Sequence, residues 1–265
     1  MTSILLITLK GIFRDRVFQG IMVMALLFLF IPTIGSLSMR QVTELSITLS
    51  LSLISFILLL LAVFLGGTSL WKDIEKRYTF SVLGFPLSRT SYILGRFMGN
   101  ALFLCLTALF LGVITLLVIL WAKGLYPPSR PVRWDNMMIA VLFDTLKYLL
   151  LVSVAFFFSS VSTSFFLPIF GTISVYLVGN ASQEVYDYLH SGSQAVKVLP
   201  GMVVKAASLL YYLIPNLAAF DYKLQAVYGL DIAGRGMALT VLYWVIYTTI
   251  MLALTAVIYE RREMK

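Results

Sequence analysis

The sequence predicts an all-α membrane protein. It has six transmembrane helices, an N-terminal amphipathic interfacial helix, a cytoplasmic helix between spans 2 and 3, and short external helices between spans 5 and 6. Three observations predict this. Of 265 residues 60% are hydrophobic and only 12% charged, and the mean hydropathy is +0.94; a soluble domain carries about 25% charge. A chain this apolar cannot cover itself with polar groups in water, so the bilayer is its solvent. Long runs without charge recur at the length of a bilayer crossing. The basic excess, net +8, is scattered between those runs and forms no stripe. It is first a signal of topology, and nucleic-acid binding is set aside.

The elements follow in order. Residues 1–16 place Leu5, Leu9, Ile12 and Phe13 on one helical face, with Lys10 and Arg14 on another. That pattern suits a helix lying in the headgroup plane; the plainer reading is the first turns of span 1. Lys10, Arg14 and Arg16 follow the first apolar run and no small-residue cleavage site comes after, so a cleavable signal peptide is not expected. Span 1 covers 17–37, with Pro32 set to kink it. A link carrying Arg40 and Glu44 leads to span 2, residues 45–71, which is free of charge. At helical rise span 2 is about 40 Å long, more than the ~30 Å hydrocarbon core, so it tilts or projects. Gly66 and Gly67 near its end let another helix approach closely.

Residues 72–96 break the pattern with both charge signs, two glycines and a proline. Span 3 is 97–122, and Gly95 and Gly99 at its start form a small-xxx-small pair. The loop Lys123–Asp135 holds three prolines, with Trp121, Tyr126 and Trp134 as interface anchors. Span 4, 136–160, contains Asp144 and Lys147. A polar turn, Ser159 to Ser164, leads to span 5, 165–180, with Pro168 in its first turn. Residues 181–235 form the one long external segment, polar and tyrosine-rich at first. Between Val196 and Ala219 it is apolar, but Gly201, Lys205 and Pro215 interrupt it, which reads as short interfacial or re-entrant helices. Span 6 is 236–259.

With six spans and the N-terminus inside, eleven of the twenty Lys and Arg lie on the cytoplasmic side, eight outside and one, Lys147, in a span. The inside ones sit in short segments close to span ends, where they weigh most. Both termini and residues 72–96 are therefore expected in the cytoplasm.

The segment 72–96 has its own physical reading. Asp73 is a helix N-cap, and Lys76 and Arg77 follow one turn later, with Glu75 between. Tyr78, Phe80, Val82, Leu83 and Phe85 form an apolar knob, which a solvated loop does not need, so a protein groove is implied. Pro86 stops the helix, Ser88 caps the next one, and Arg89 can reach back to Glu75. The plainer reading packs these groups against the span ends.

Glu75, Tyr78, Thr79, Leu83, Pro86, Leu87, Ser88, Arg89, Tyr92, Gly95 and Arg96 stand in a pattern that resembles one family. It is the cytoplasmic segment of bacterial ATP-binding-cassette (ABC) exporter permeases of the type-2 class, also called type V exporters. Arg96 stands where lysine is common, conservative in charge only. The resemblance covers about 25 residues in motif and the whole chain in layout. It implies that Asp73, Glu75, Lys76, Arg77, Tyr78, Thr79, Phe80, Leu83, Phe85, Pro86, Ser88 and Arg89 form a coupling helix docked on the ATPase. It also implies that Ser160, Ser162 and Thr163 make a second, shorter cytoplasmic contact. It implies partners: two copies of an ABC ATPase subunit, which carry the ATP and Mg, a second permease chain, identical or a sister, and membrane lipid. A periplasmic protein is a further candidate. The implied location is the bacterial inner membrane.

The remaining residues narrow the chemistry. No G-x-x-x-x-G-K-[ST] occurs, so the chain has no P-loop for nucleotide, and no cofactor or metal is expected on it. Asp144 and Lys147 share one helix face; they line a polar path or gate, or form an intrahelical pair that fixes span 4. The serines near Ser160 have no base, since the single histidine, His190, falls on the other side, which removes Ser–His catalysis. His190 reads as a loop residue, Cys105 as a small buried hydrophobe, and the eleven methionines as packing. Three functions are weighed: a permease subunit that exports a solute, a module that transmits motion to a periplasmic protein without passing one, and an intramembrane enzyme. The last has only Asp144 and Lys147 to work with.

Overall fold

The computed structural model describes residues 42–68, 70, 71, 89–125, 131–191 and 200–261, together with 8, 10–12, 19, 20, 23, 30, 31 and 34. Among them every regular element is a helix and there is no strand. Helix α1 spans Val42–Leu61 and runs on as a π-helical turn, Ala62–Gly66. It is followed by α2, Arg89–Leu125, α3, Trp134–Val161, and α4, Phe166–His190. Then come α5, Gly201–Leu213, a 3-10 turn, Ala218–Phe220, α6, Lys223–Tyr228, and α7, Gly234–Arg261.

Four stretches are long and apolar enough to cross a membrane: Val42–Gly66, Arg89–Gly124, Trp134–Val161 and Gly234–Arg261. A fifth crossing arises only if Gly201–Leu213 and Ala218–Tyr228, which meet at 48°, count as one broken span; the same bend fits a re-entrant loop. The interfacial helix expected at 1–16 and the span at 17–37 fall outside the described residues except at isolated positions. Residues 72–88 fall outside them altogether.

Two boundaries differ from the sequence reading. Helix α2 begins at Arg89, eight residues before 97, because nothing from Thr90 to Arg96 breaks a helix once Pro86 is passed. Helix α4 continues through Ala181–His190, where Ala, Gln, Glu and Leu favour helix in polar surroundings as well as in lipid. His190 is thus the last residue of a helix and not of a loop. The apolar part of α4 ends at Asn180, and this helix is not among the four.

Helix α3 is the hub. In its most apolar stretch 78% of residues are buried, against 11% for α7 at the periphery. The glycines do what their spacing predicts. A Cβ on Gly66 would lie 2.8 Å from Ala155 Cβ on α3, and one on Gly67 would lie 3.4 Å from Pro168 Cβ on α4. The π-turn frees backbone groups that lipid cannot satisfy. Side chains serve two of the carbonyls there: Asn100 Nδ2 reaches Leu65 O at 3.5 Å and Ser159 Oγ reaches Gly67 O at 2.9 Å. At one end of the bundle stand Trp71, Arg89, Ser162 and Arg261. At the other, Asn136 Nδ2 donates to the carbonyls of Gln225 and Leu230 at 2.9 and 2.8 Å and holds the loop after α6. That loop turns through Gly229, whose φ of 64° suits glycine.

Candidate functional site

Of the residues expected to dock an ATPase, Asp73, Glu75, Lys76, Arg77, Tyr78, Thr79, Phe80, Leu83, Phe85, Pro86 and Ser88 lie outside the described residues. Arg89 is described, and it is the first residue of α2. Its Nη1 donates to Tyr259 O at 3.3 Å and Glu260 O at 2.9 Å. Those carbonyls belong to the last turn of α7, where a helix leaves acceptors unpaired and its dipole favours a cation. Thr90 Oγ1 donates to Glu260 Oε1 at 2.8 Å, and Tyr92 stacks on Tyr259 with ring centroids 6.4 Å apart. The end of the charged segment is therefore clasped to the end of the last helix. One turn further on, Arg96 lies over the Tyr92 ring at 5.8 Å and its Nη1 donates to Thr8 Oγ1 at 3.3 Å. Gly99 makes room for Thr8: a Cβ there would meet Thr8 Cβ at 2.8 Å. Glu75, the other partner expected of Arg89, lies outside the described residues. Sequence reasoning missed Thr90 and Glu260, because nothing local links positions 170 residues apart.

The link between α3 and α4 is built from hydroxyls turned inward. Ser160 Oγ donates to Phe157 O at 2.7 Å, and Ser162 Oγ donates to Ser164 O at 2.6 Å while accepting from Ser164 N at 2.9 Å. Ser160 and Ser162 are buried and Thr163 is exposed. Of the three residues expected to make a second cytoplasmic contact, Thr163 is the one at the surface.

Asp144 and Lys147 are 5% and 3% exposed, deep among the helices. They do not form the intrahelical pair expected of their spacing. Asp144 accepts a hydrogen bond from Ser55 Oγ of α1, and Lys147 Nζ donates to Asn180 Oδ1 of α4 at 2.7 Å. Each charge finds a partner on a different neighbouring helix, and the hub is tied to both. The Lys147 ammonium also lies 5.8 and 5.5 Å from the ring centroids of Tyr148 and Tyr176. Ser55 and Asn180 were legible only as polar residues inside apolar runs. Cys105 is exposed on the face of α2, not buried as expected, because α2 turns that face away from the bundle.

The end of the bundle away from Arg89 carries a second cluster. Leu217 N donates to Gly179 O at 3.0 Å, and a Cβ on Gly179 would sit 2.6 Å from Pro215 O, so the loop after α5 is seated on α4 at the one residue that allows it. Gln183 Oε1 accepts from Tyr211 OH at 3.1 Å and Asn216 Nδ2 at 2.6 Å. Tyr186 is stacked between His190 and Tyr211, at 4.1 and 4.2 Å; its phenol is pushed above the usual range, first by its hydrogen bond with Tyr212. Just ahead of α3, Arg133 donates to Asp231 Oδ1 at 2.5 Å and pairs with Asp135 at 3.4 Å, and these carboxylates hold its guanidinium above its usual range. Among the described residues no group of three or more His, Cys, Asp or Glu is placed to hold a metal ion. No protein-family model matches the chain, and no curated protein matches it, so the reading of this site rests on its own residues.

Proposed function

We propose that the chain is the membrane-spanning permease subunit of an ATP-binding-cassette exporter in the bacterial inner membrane, with six spans and both termini in the cytoplasm. Hydrolysis belongs to a separate ATPase subunit, present twice and carrying ATP and Mg, and the permease chain works beside a second permease chain. The observation that carries this reading is the residue pattern of 72–96, which ends in the Arg89 clasp on Tyr259 and Glu260. Closure of the ATPase pair pushes Asp73–Arg89. Trp71 is the last described residue before that segment, and Arg89 begins the next described helix while holding the last turn of α7. A push there moves α1, α2 and α7 together, and a path between two chains opens outward. Charge reversal tests it: Glu75→Lys and Arg89→Glu are each expected to abolish ATPase co-purification or coupled ATP turnover. Fully coupled turnover retained in both variants overturns the docking assignment.

A second reading is favoured by one observation. Helix α5 buries none of its residues, and Met202, Leu209 and Leu213 stand exposed along one side. A module that passes motion to a periplasmic protein without moving a solute would use such a surface. Whether paired chains enclose a continuous cavity separates the two readings.

A further inference from the structure

Asp144 and Lys147 hold the bundle together in a way that also lets it come apart, and this holds whether or not the chain is an exporter subunit. The two residues are one turn apart on α3, and both are buried. Their hydrogen-bond partners, Ser55 on α1 and Asn180 on α4, are neutral, and the charges of Asp221 and Lys223 act on both only through space. Parting α1 or α4 from α3 would strand a charge in a dry interior, at a cost that normally forbids the motion. The i, i+3 spacing supplies an alternative, because an aspartate and a lysine so placed can pair on their own helix.

We propose that Asp144 and Lys147 are a partner-exchange switch: in the described conformation they bridge α3 to α1 and α4, and in a second conformation they pair with each other and release both helices. The neutral partners make the exchange cheap. Asn180 keeps the bond from its Nδ2 to Tyr176 O, 2.9 Å away on its own helix. A freed Ser55 hydroxyl can turn to a carbonyl one turn back, as serines in helices commonly do. The Tyr148 hydroxyl, fully buried beside Lys147 and close to Ser55 and Tyr176, is a further donor for the rearranged carboxylate. The exchange also reaches both ends of the molecule. Asn180 adjoins Gly179, the seat of the loop after α5, and Ser55 lies on the helix that leads to Trp71.

The test uses the full chain in lipid nanodiscs, with Cys105→Ser as background and spin labels on Phe56→Cys of α1 and Val178→Cys of α4, both exposed positions. Electron–electron double resonance reads the distance between them. Ser55→Ala with Asn180→Ala removes the partners that favour the bridged state. It should raise the population at a second α1–α4 distance by about tenfold or more, since each lost bond involves a charged group. Adding Lys147→Gln should remove that second population, because of the two cations that act on Asp144, Lys147 and Lys223 of α6, only Lys147 shares its helix. Asp144→Asn in the same background gives the same reading if the lysine variant is not recovered folded. An unchanged distribution in Ser55→Ala/Asn180→Ala overturns the proposal, and so does a second population that survives Lys147→Gln or Asp144→Asn.

Discussion

At the scale of single residues, contacts between helices decide outcomes that local sequence only hints at. Gly66 is the sharpest case. A methyl group there meets Ala155 Cβ at 2.8 Å, and neither partner has a flexible end to move aside. Gly66→Ala should therefore destabilise the bundle by about 1–3 kcal/mol, read as a lower midpoint of unfolding in detergent, and Ala155→Gly should restore it. Gly112→Ala is the control: its Cβ would lie 3.6 Å from Val141 Cγ1, ordinary contact, and the midpoint should not move. The tight approach at Gly66–Gly67 was legible in the sequence because two adjacent glycines in an apolar run have few other uses. The partners of Asp144 and Lys147 were not legible. Spacing says that the two residues can meet, but whether they do depends on Ser55 and Asn180, which other helices bring in. The clasp at Arg89 has the same character. Arg89→Ala removes the single nitrogen, Nη1, that serves both carbonyls. Faster hydrogen exchange over the last turn of α7 is the expected result.

At the scale of elements, the length of α4 is the main surprise. Hydropathy ends the apolar run at Asn180, but helix propensity carries the helix ten residues further, and the sequence reading followed hydropathy alone. The extension is where α5 and its loop are seated, through Gly179, Gln183 and Tyr186. Gly179→Ala would place a Cβ 2.6 Å from Pro215 O and 2.9 Å from Leu217 Cγ. The expected outcome is loss of the Leu217 N to Gly179 O bond and much faster exchange of the Leu217 amide, with α1 and α2 unaffected. Glu184→Pro should interrupt the extension at a cost of about 3 kcal/mol and expose α5 to protease. The stretch between Val196 and Ala219, read as short interfacial or re-entrant helices, contains α5 and meets the stretch that follows at 48°, a bend that fits a broken span as well as a re-entrant loop. That much was legible because Gly201 and Pro215 are strong breakers.

At the scale of the whole molecule, the described residues hold only helices, four of them long and apolar enough to cross a membrane, as the apolar composition and the charge-free runs anticipate. Which helix sits at the centre did not follow. Helix α3 and α7 are both 28 residues long and similarly apolar, yet one is the hub and the other the rim. A lysine at Ile246, exposed midway along α7, should raise the cost of membrane insertion by about 2.5–3.5 kcal/mol, measured with a glycosylation reporter of translocation; a normal insertion fraction would mean that this face looks onto water. The Arg89 clasp has a consequence in time as well as in space. Its two halves are separated by some 170 residues of chain, so it cannot close until α7 has been synthesised and inserted. A stalled or truncated polypeptide lacks it. The end of the bundle that carries Arg89 thus closes only after α7 has been made, later than the contacts among α1, α2 and α3.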